Sequence, residues 1–230
     1  MPPLPPPPGS TTDIHARSAL VLAPHFDDEV LGCGGLVLEL TRAGTPVHVL
    51  FLSDGGGDSL GDGAGGEDAR AAYVETRRRE AAAAVERLGA TSSELGLRDG
   101  ALRQHLGAIA SAVGSELAGR SADLLLVPAP TERSADHRAA FAAVHRYLTS
   151  PEAETFDPGL RILLYEVNHP LHPDVLVAVE PHLEALEAAM ACYASQLERH
   201  DYWRAALGRR RFRAHTLPAG TGAVEAYRQL

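Results

Sequence analysis

The chain has 230 residues, 45% of them hydrophobic and 22% charged, a composition that suits one soluble globular domain with a substantial core. Thirty acidic residues against 21 basic ones leave a formal charge of −9, which excludes a broad phosphate-neutralising surface and makes nucleic acid a poor partner. Every basic residue is arginine and none is lysine, so neither a lysine Schiff base nor a Walker-type phosphate lysine is available.

Residues 1–16 open with Met-Pro-Pro-Leu-Pro-Pro-Pro-Pro-Gly-Ser and read as an extended, partly disordered arm, because consecutive prolines favour polyproline II and lack backbone N–H donors. The arm has neither a basic n-region nor an apolar h-region, so no secretory signal is expected, and no run of about 18 apolar residues is present to span a membrane. Residues 17–230 are expected to form one domain. Ala19–Ala23 reads as a buried strand stopped by Pro24, followed by a helix from about Asp28 to Arg42 closed by Gly44, and a second strand over Val47–Leu52. Residues 54–68, dense in Gly and Asp, read as a long loop expected to close over a substrate. A helix from Ala69 to Leu88 ends at Gly89, Glu94–Leu97 is a short strand before the Arg98-Asp99-Gly100 turn, and a helix runs from Leu102 to Leu117. Asp123–Val127 is a strand broken by Pro128-Ala129-Pro130, and Asp136–Leu148 is helical. Leu160–Val167 and Val175–Val179 are strands, and one helix is expected from Pro181 to about His200. This alternation implies an α/β protein, a Rossmann-like three-layer fold around a mainly parallel sheet.

In such folds functional groups gather at the carboxyl ends of strands. Two of these points are rich in metal-ligand side chains: Pro24-His25-Phe26-Asp27-Asp28-Glu29 after the first strand, and Ser134-Ala135-Asp136-His137 after the strand ending at Val127. His25, Asp28 and His137 would supply two imidazoles and a carboxylate and leave a position open, the composition of a catalytic zinc site. Asp27 would then be the general base for metal-bound water. Asp136 would orient an imidazole from behind. Each segment alone also suits a plain helix start, since Asp caps free N–H groups and favours the positive end of a helix. Two imidazoles and a carboxylate describe a non-haem iron oxygenase site as well, although the strand pattern is wrong for the jelly-roll host of such sites.

The ordered set of motifs resembles the GlcNAc-phosphatidylinositol de-N-acetylase family, which includes the LmbE-like bacterial proteins. His25-Phe26-Asp27-Asp28-Glu29 is similar to its His-Pro-Asp-Asp-Glu motif, with Phe for Pro, and Ser134-Ala135-Asp136-His137 to its His-x-Asp-His. Similarity extends to Arg77-Arg78-Arg79-Glu80-Ala81, Leu97-Arg98-Asp99-Gly100, Tyr165-Glu166-Val167 and Tyr193-Ala194-Ser195-Gln196. The resemblance implies a metal-dependent hydrolase that removes an N-acetyl or other N-acyl group from an amino sugar or glycoside. It implies His25, Asp28 and His137 as ligands of Zn2+ or another divalent metal, Asp27 as base, and Arg77 as a residue that fixes substrate hydroxyls. Ser134 departs from the family, where a histidine thought to stabilise the oxyanion or protonate the leaving group usually stands; serine cannot shuttle a proton near neutrality. His169 or His172, in the loop after a strand, could take that part, and His172 is the candidate for substrate contact. Alternatively the chain is a weakened or inactive member that binds a sugar or a protein partner.

Gly32-Cys33-Gly34-Gly35 lacks dinucleotide-loop spacing and reads as close packing of a helix on the sheet, and Arg209-Arg210-Arg211-x-Arg213 as a packed or solvated face. Cys33 and Cys192 lie far apart, which suggests neither a disulfide framework nor a cysteine metal site and fits a reducing cytoplasm. A homo-oligomer is left open by the sequence.

Overall fold

The computed structural model of the chain describes residues 11–57, 66–150 and 159–230. All five side chains of β1 (Ala19–Ala23) are apolar and buried, which demands neighbours on both edges and cover on both faces. Both edges are paired in parallel: Ala19 lies opposite Val47 of β2 (Val47–Ser53) on one side and Leu124 of β4 (Leu124–Pro128) on the other. β3 (Thr91–Leu97) extends the sheet beyond β2, and β5 (Arg161–Tyr165) extends it beyond β4, again in parallel. Two antiparallel strands finish it, β7 (Val224–Gln229) against β5 and β6 (Val175–Ala178) at the edge, for an order β3-β2-β1-β4-β5-β7-β6.

Alternate residues of β1 feed two separate cores. Ala19, Val21 and Ala23 pack with α1 (Asp28–Arg42), α2 (Gly66–Arg87) and α5 (Leu183–Met190). Leu20 and Leu22 pack with α3 (Leu106–Arg120) and α4 (Ala135–Leu148) on the opposite face. Helices thus cover both faces of the sheet, the three-layer arrangement expected. α6 (Ala194–Leu197) and α7 (Tyr202–Ala214) complete the chain's helices among the described residues. No helix of the described residues is long and apolar enough to cross a membrane.

α1 runs close against the sheet because its glycines permit it. A Cβ on Gly32 would enter the ring of Tyr165, and one on Gly35 would meet Val179. Buried Tyr165 is itself fixed by its hydroxyl, which donates to Leu22 O at 2.8 Å.

Several boundaries differ from the pattern reading. β3 starts at Thr91 rather than Glu94, because Thr91 and Ser93 are drawn into the ladder by hydrogen bonds to the buried His48 ring, both 2.8 Å. The segment from Leu102 opens as a 3-10 turn, Leu102–His105, before α3 begins. The single helix expected over residues 181–200 is a 3-10 turn at Glu180–His182, then α5 and α6, interrupted where Tyr193 leaves helical geometry at φ −84°, ψ 52° with its ring buried. α7 and β7 have no counterpart in the pattern reading. Of the arm, residues 11–16 carry no helix or strand, yet Ile14 is buried and Thr12 N–H donates to Leu176 O at 2.6 Å; residues 1–10 lie outside the described residues. So do residues 58–65 of the Gly/Asp-rich loop.

Candidate metal centre

Strand order reverses at β1, whose neighbours are β2 on one side and β4 on the other, and a crevice opens at the carboxyl ends of strands where such a reversal occurs. The loop after β1 and the loop after β4 flank it. The first turns directly into α1. Asp27 takes φ 115°, a conformation that costs a non-glycine residue roughly 1–3 kcal/mol. It is held there because its carbonyl accepts the Val30 and Leu31 N–H groups at 3.1 and 2.9 Å, while its own N–H donates to Glu29 Oε2 at 3.2 Å. That turn places His25 and Asp28 on one point.

His137, in the first turn of α4, reaches the same point. His25 Nδ1 lies 3.2 Å from His137 Nε2 and 3.2 Å from Asp28 Oδ2, and His137 Nε2 lies 3.1 Å from Asp28 Oδ2. Ligands at about 2.0–2.2 Å from a tetrahedral centre stand about 3.3–3.6 Å apart, so this triangle is nearly the size that a bound zinc requires. The outward ring nitrogens face carboxylates. His25 Nε2 is 3.3 Å from Asp99 Oδ1 and 3.5 Å from Asp136 Oδ2, and His137 Nδ1 is 3.3 Å from Glu132 Oε2. Protons held on the outer nitrogens leave the two inner lone pairs, with the Asp28 carboxylate, facing one another for a cation. His25, Asp99 and Asp136 also come within ligand distance of one another, but through the nitrogen of His25 that faces away from His137.

The charges agree with a cation site. Burial opposes a charge on His25, yet the carboxylates of Asp136, Asp28 and Asp99 outweigh it and raise the ring well above its ordinary value. Burial likewise opposes a charge on His137, and Asp28 and Glu132 raise it to about 9. Burial pushes Asp28 up, but the His137 and His25 imidazoles hold it below the usual carboxylate range. Asp27 stands apart: burial lifts it to about 7, against the pull of Arg77.

Arg77 is buried and points at Asp27. One Nη2 donates to Phe26 O and lies 3.4 Å from Asp27 Oδ2, while Nη1 is 3.6 Å from Glu80 Oε2. Glu80 in turn accepts the N–H and hydroxyl of Ser195 at 2.8 and 2.6 Å. Glu29 is buried and lifted to about 8 by that burial, against the Tyr193 hydroxyl that donates to it at 2.5 Å.

Asp136 orients an imidazole, but it is that of His25 rather than of its neighbour His137; its two oxygens also accept the Gly100 and Leu102 N–H groups at 2.7 and 3.2 Å. Ser134 caps α4, its Oγ accepting the Asp136 and His137 N–H groups at 3.2 and 3.4 Å. His169 is exposed with Nδ1 turned to Pro170 O at 3.0 Å, and His172 is exposed and joins no hydrogen bond among the described residues. Sequence reasoning missed Glu132 and gave Asp99 no role. The available signal was an acid five residues before His137, in a loop that leaves a strand end.

The family model PIG-L, GlcNAc-PI de-N-acetylase, matches residues 20–148, a span that holds every residue of the triangle. The chain belongs to this family. As a PIG-L member it shares its fold with the N,N'-diacetylchitobiose deacetylase of Pyrococcus horikoshii, at 22% identity over 94% of this chain and 84% of that one, with a TM-score of 0.75. A conserved protein of Thermus thermophilus is 26% identical over 91% of this chain and 93% of its own, with a TM-score of 0.74. The 4-carboxy-2-hydroxymuconate hydratase of Pseudomonas putida is 24% identical over 93% and 97%, with a TM-score of 0.73. No curated protein matches the sequence.

Proposed function

We propose that this PIG-L protein is a metal-dependent N-deacetylase that frees the amine of an N-acetylated, or otherwise N-acylated, amino sugar in a small molecule or glycoside. The observation that carries the reading is the triangle of His25, Asp28 and His137 with Asp27, lifted to about 7, standing in the chain between two of its corners. Family membership and the chitobiose deacetylase among the similar folds support it. The hydratase among them is the reason to argue from the site, since one fold carries several chemistries.

His25, Asp28 and His137 would hold a divalent cation, with Zn2+ the best fit to two imidazoles and one carboxylate. When bound, such a cation polarises an acyl carbonyl and brings water towards ionisation near neutrality. Asp99 and Asp136 hold the His25 ring and Glu132 holds the His137 ring, so the ligand atoms need no rearrangement. Asp27 takes the proton of the attacking water on its carboxylate and, with Ser134 committed to the helix cap, returns it to the departing amine nitrogen. Arg77 fixes the Asp27 turn through Phe26 O and keeps the carboxylate from being lifted further by burial. This makes Arg77 a support of the base rather than the clamp for sugar hydroxyls implied by resemblance. His172, exposed beyond β5, remains for contact with a substrate at the rim. Two free cysteines, Cys33 buried and Cys192 half-buried, suit a protein that works in the reducing cytoplasm.

The test is amine release from a panel of N-acetylated amino sugars by protein supplied with Zn2+, alongside Asp27→Asn. Release in the wild type, lost by a factor of about 10² or more in the variant while Zn2+ stays bound, is the expected result. Bound metal with no amine released from any member of the panel refutes the assignment.

A further inference from the structure

The two arms of the triangle come from different parts of the fold, and nothing in α1 or α4 alone fixes their separation. α7, which lies beyond the residues matched by the family model, reaches both. The Arg209 side chain is 15% exposed; its Nη2 donates to Leu31 O at 2.8 Å and its Nη1 to Val167 O. Leu31 belongs to the first turn of α1, and its N–H closes on Asp27 O, next to Asp28. Val167 donates its N–H to Glu132 Oε1 at 2.6 Å, and the other oxygen of Glu132 meets His137 Nδ1. One guanidinium therefore joins the backbone that carries Asp28 to the peptide that steadies the partner of His137. We infer that Arg209 is a positioning residue, a clamp that sets the distance between the Asp28 and His137 arms of the metal site.

A planar guanidinium suits this role because its N–H groups leave in fixed directions and can hold two carbonyls at once, whereas an ammonium is a point donor. Burial and the adjacent Arg210 push Arg209 down to about 10, against the Glu166 carboxylate, whose Oε1 lies 3.5 Å from its Nε. The ion pair with Glu166 could be met by any cation, but only a guanidinium also gives its two Nη groups to Leu31 O and Val167 O, one on each arm. Arg213 on the same helix provides a matched contrast. Its side chain is 13% exposed and makes three hydrogen bonds, two to the Glu166 carboxylate at 3.1 and 2.6 Å and one to Leu171 O at 2.6 Å; it shares Glu166 with Arg209 but donates to neither Leu31 O nor Val167 O and makes no hydrogen bond to α1 among the described residues.

The inference rests on the metal reading above, and the experiment separates the two. Zn2+ affinity is measured by competition with a chromogenic chelator, and the Zn2+-induced rise in Tm by thermal melting, for wild type, Arg209→Met, Arg209→Lys and Arg213→Met. Arg209→Met is expected to bind Zn2+ about 10- to 100-fold more weakly, the range seen when a partner behind a ligand is lost, with a smaller Zn2+-induced rise in Tm. Arg209→Lys falls between, and it carries the test should Arg209→Met fail to fold. Arg213→Met loses Tm without metal but binds Zn2+ as the wild type does. Affinity within twofold of wild type in both Arg209 variants, or an equal loss in Arg213→Met, overturns the clamp. Wild-type protein that takes up no Zn2+ would overturn the metal reading, and the clamp with it.

Discussion

Glu132→Gln is the sharpest test of how the centre is held. The carboxylate is fully buried and acts as acceptor in every direction: Oε1 takes N–H groups from Val167 at 2.6 Å, Asn168 at 3.2 Å and His169 at 3.3 Å, and Oε2 takes Asn168 at 3.0 Å and His137 Nδ1 at 3.3 Å. Glutamine has the same shape but turns one oxygen into an NH2, and in either orientation that group faces donors. If the NH2 lies towards His137, the imidazole loses the acceptor that fixes its outer proton, and the inner nitrogen becomes a poorer ligand. If it lies towards Val167, a charge-assisted bond at the start of the loop is replaced by two opposed donors. The first arrangement predicts Zn2+ affinity reduced about 10- to 100-fold, equal to about 1.4–2.7 kcal/mol. Both predict a folding cost of about 1–3 kcal/mol from an unmade buried bond. Chelator competition reads the first quantity and urea unfolding of metal-free protein the second. Stability lost with Zn2+ affinity kept within twofold assigns the second arrangement, with the NH2 towards Val167, and a variant unchanged in both quantities refutes the claim that Glu132 holds the His137 ring.

Combined with Arg209→Met, Glu132→Gln should cost less affinity than the sum of the two single changes, because both act on one path to His137; strict additivity would place them on separate paths. Gly32→Ala gains about 1 kcal/mol of helix propensity but drives a methyl into the Tyr165 ring, whose hydroxyl is fixed on Leu22 O; overpacking of about 1–3 kcal/mol should win, and a variant as stable as wild type in urea would show that the ring moves freely. His48 is pushed down from 6.5 to about 4, first by burial and then by Arg120. It therefore stays neutral in the fold while the unfolded chain takes up a proton, so its contribution is fully present above pH 6.5 and is lost as pH falls towards 4, by at most about 3 kcal/mol. His48→Gln should remove that dependence, and a wild-type-minus-variant stability difference equal at pH 7.5 and pH 5 would count against it.

The parts of the centre that were legible in the sequence are those whose position follows from strand ends. His25 and Asp28 sit three residues apart across a strand-to-helix turn, and His137 opens the helix after β4, so a βα pattern alone brings them towards one crevice. The supporting acids were not legible in the same way. Consecutive helical residues point about 100° apart, so Asp136 cannot lie behind the imidazole of its neighbour; it turns instead to His25, across the crevice. The place behind His137 falls to Glu132, five residues earlier on a loop, where no periodicity operates.

The carboxyl-terminal segment hid for a related reason. A hydrophobic-period reading counts arginine and glutamate as surface, yet α7 buries the stripe Ala206, Arg210 and Ala214, and β7 buries Glu225 among its apolar residues. The two charges account for each other. Arg210 donates to Glu225 at 2.6 Å and to Val30 O at 2.8 Å, while Glu225 accepts the Gly35 and Leu36 N–H groups of α1, both at 2.9 Å. A buried pair of this kind brings little net stability, and its members bond to the backbone of α1, the helix whose first turn carries Asp28. Charge kept at that expense along α1, by Arg210 and Glu225 as by Arg209, goes with the part of the fold where position matters more than stability: the helix start that carries Asp27 and Asp28, the proposed base and one proposed corner of the metal triangle.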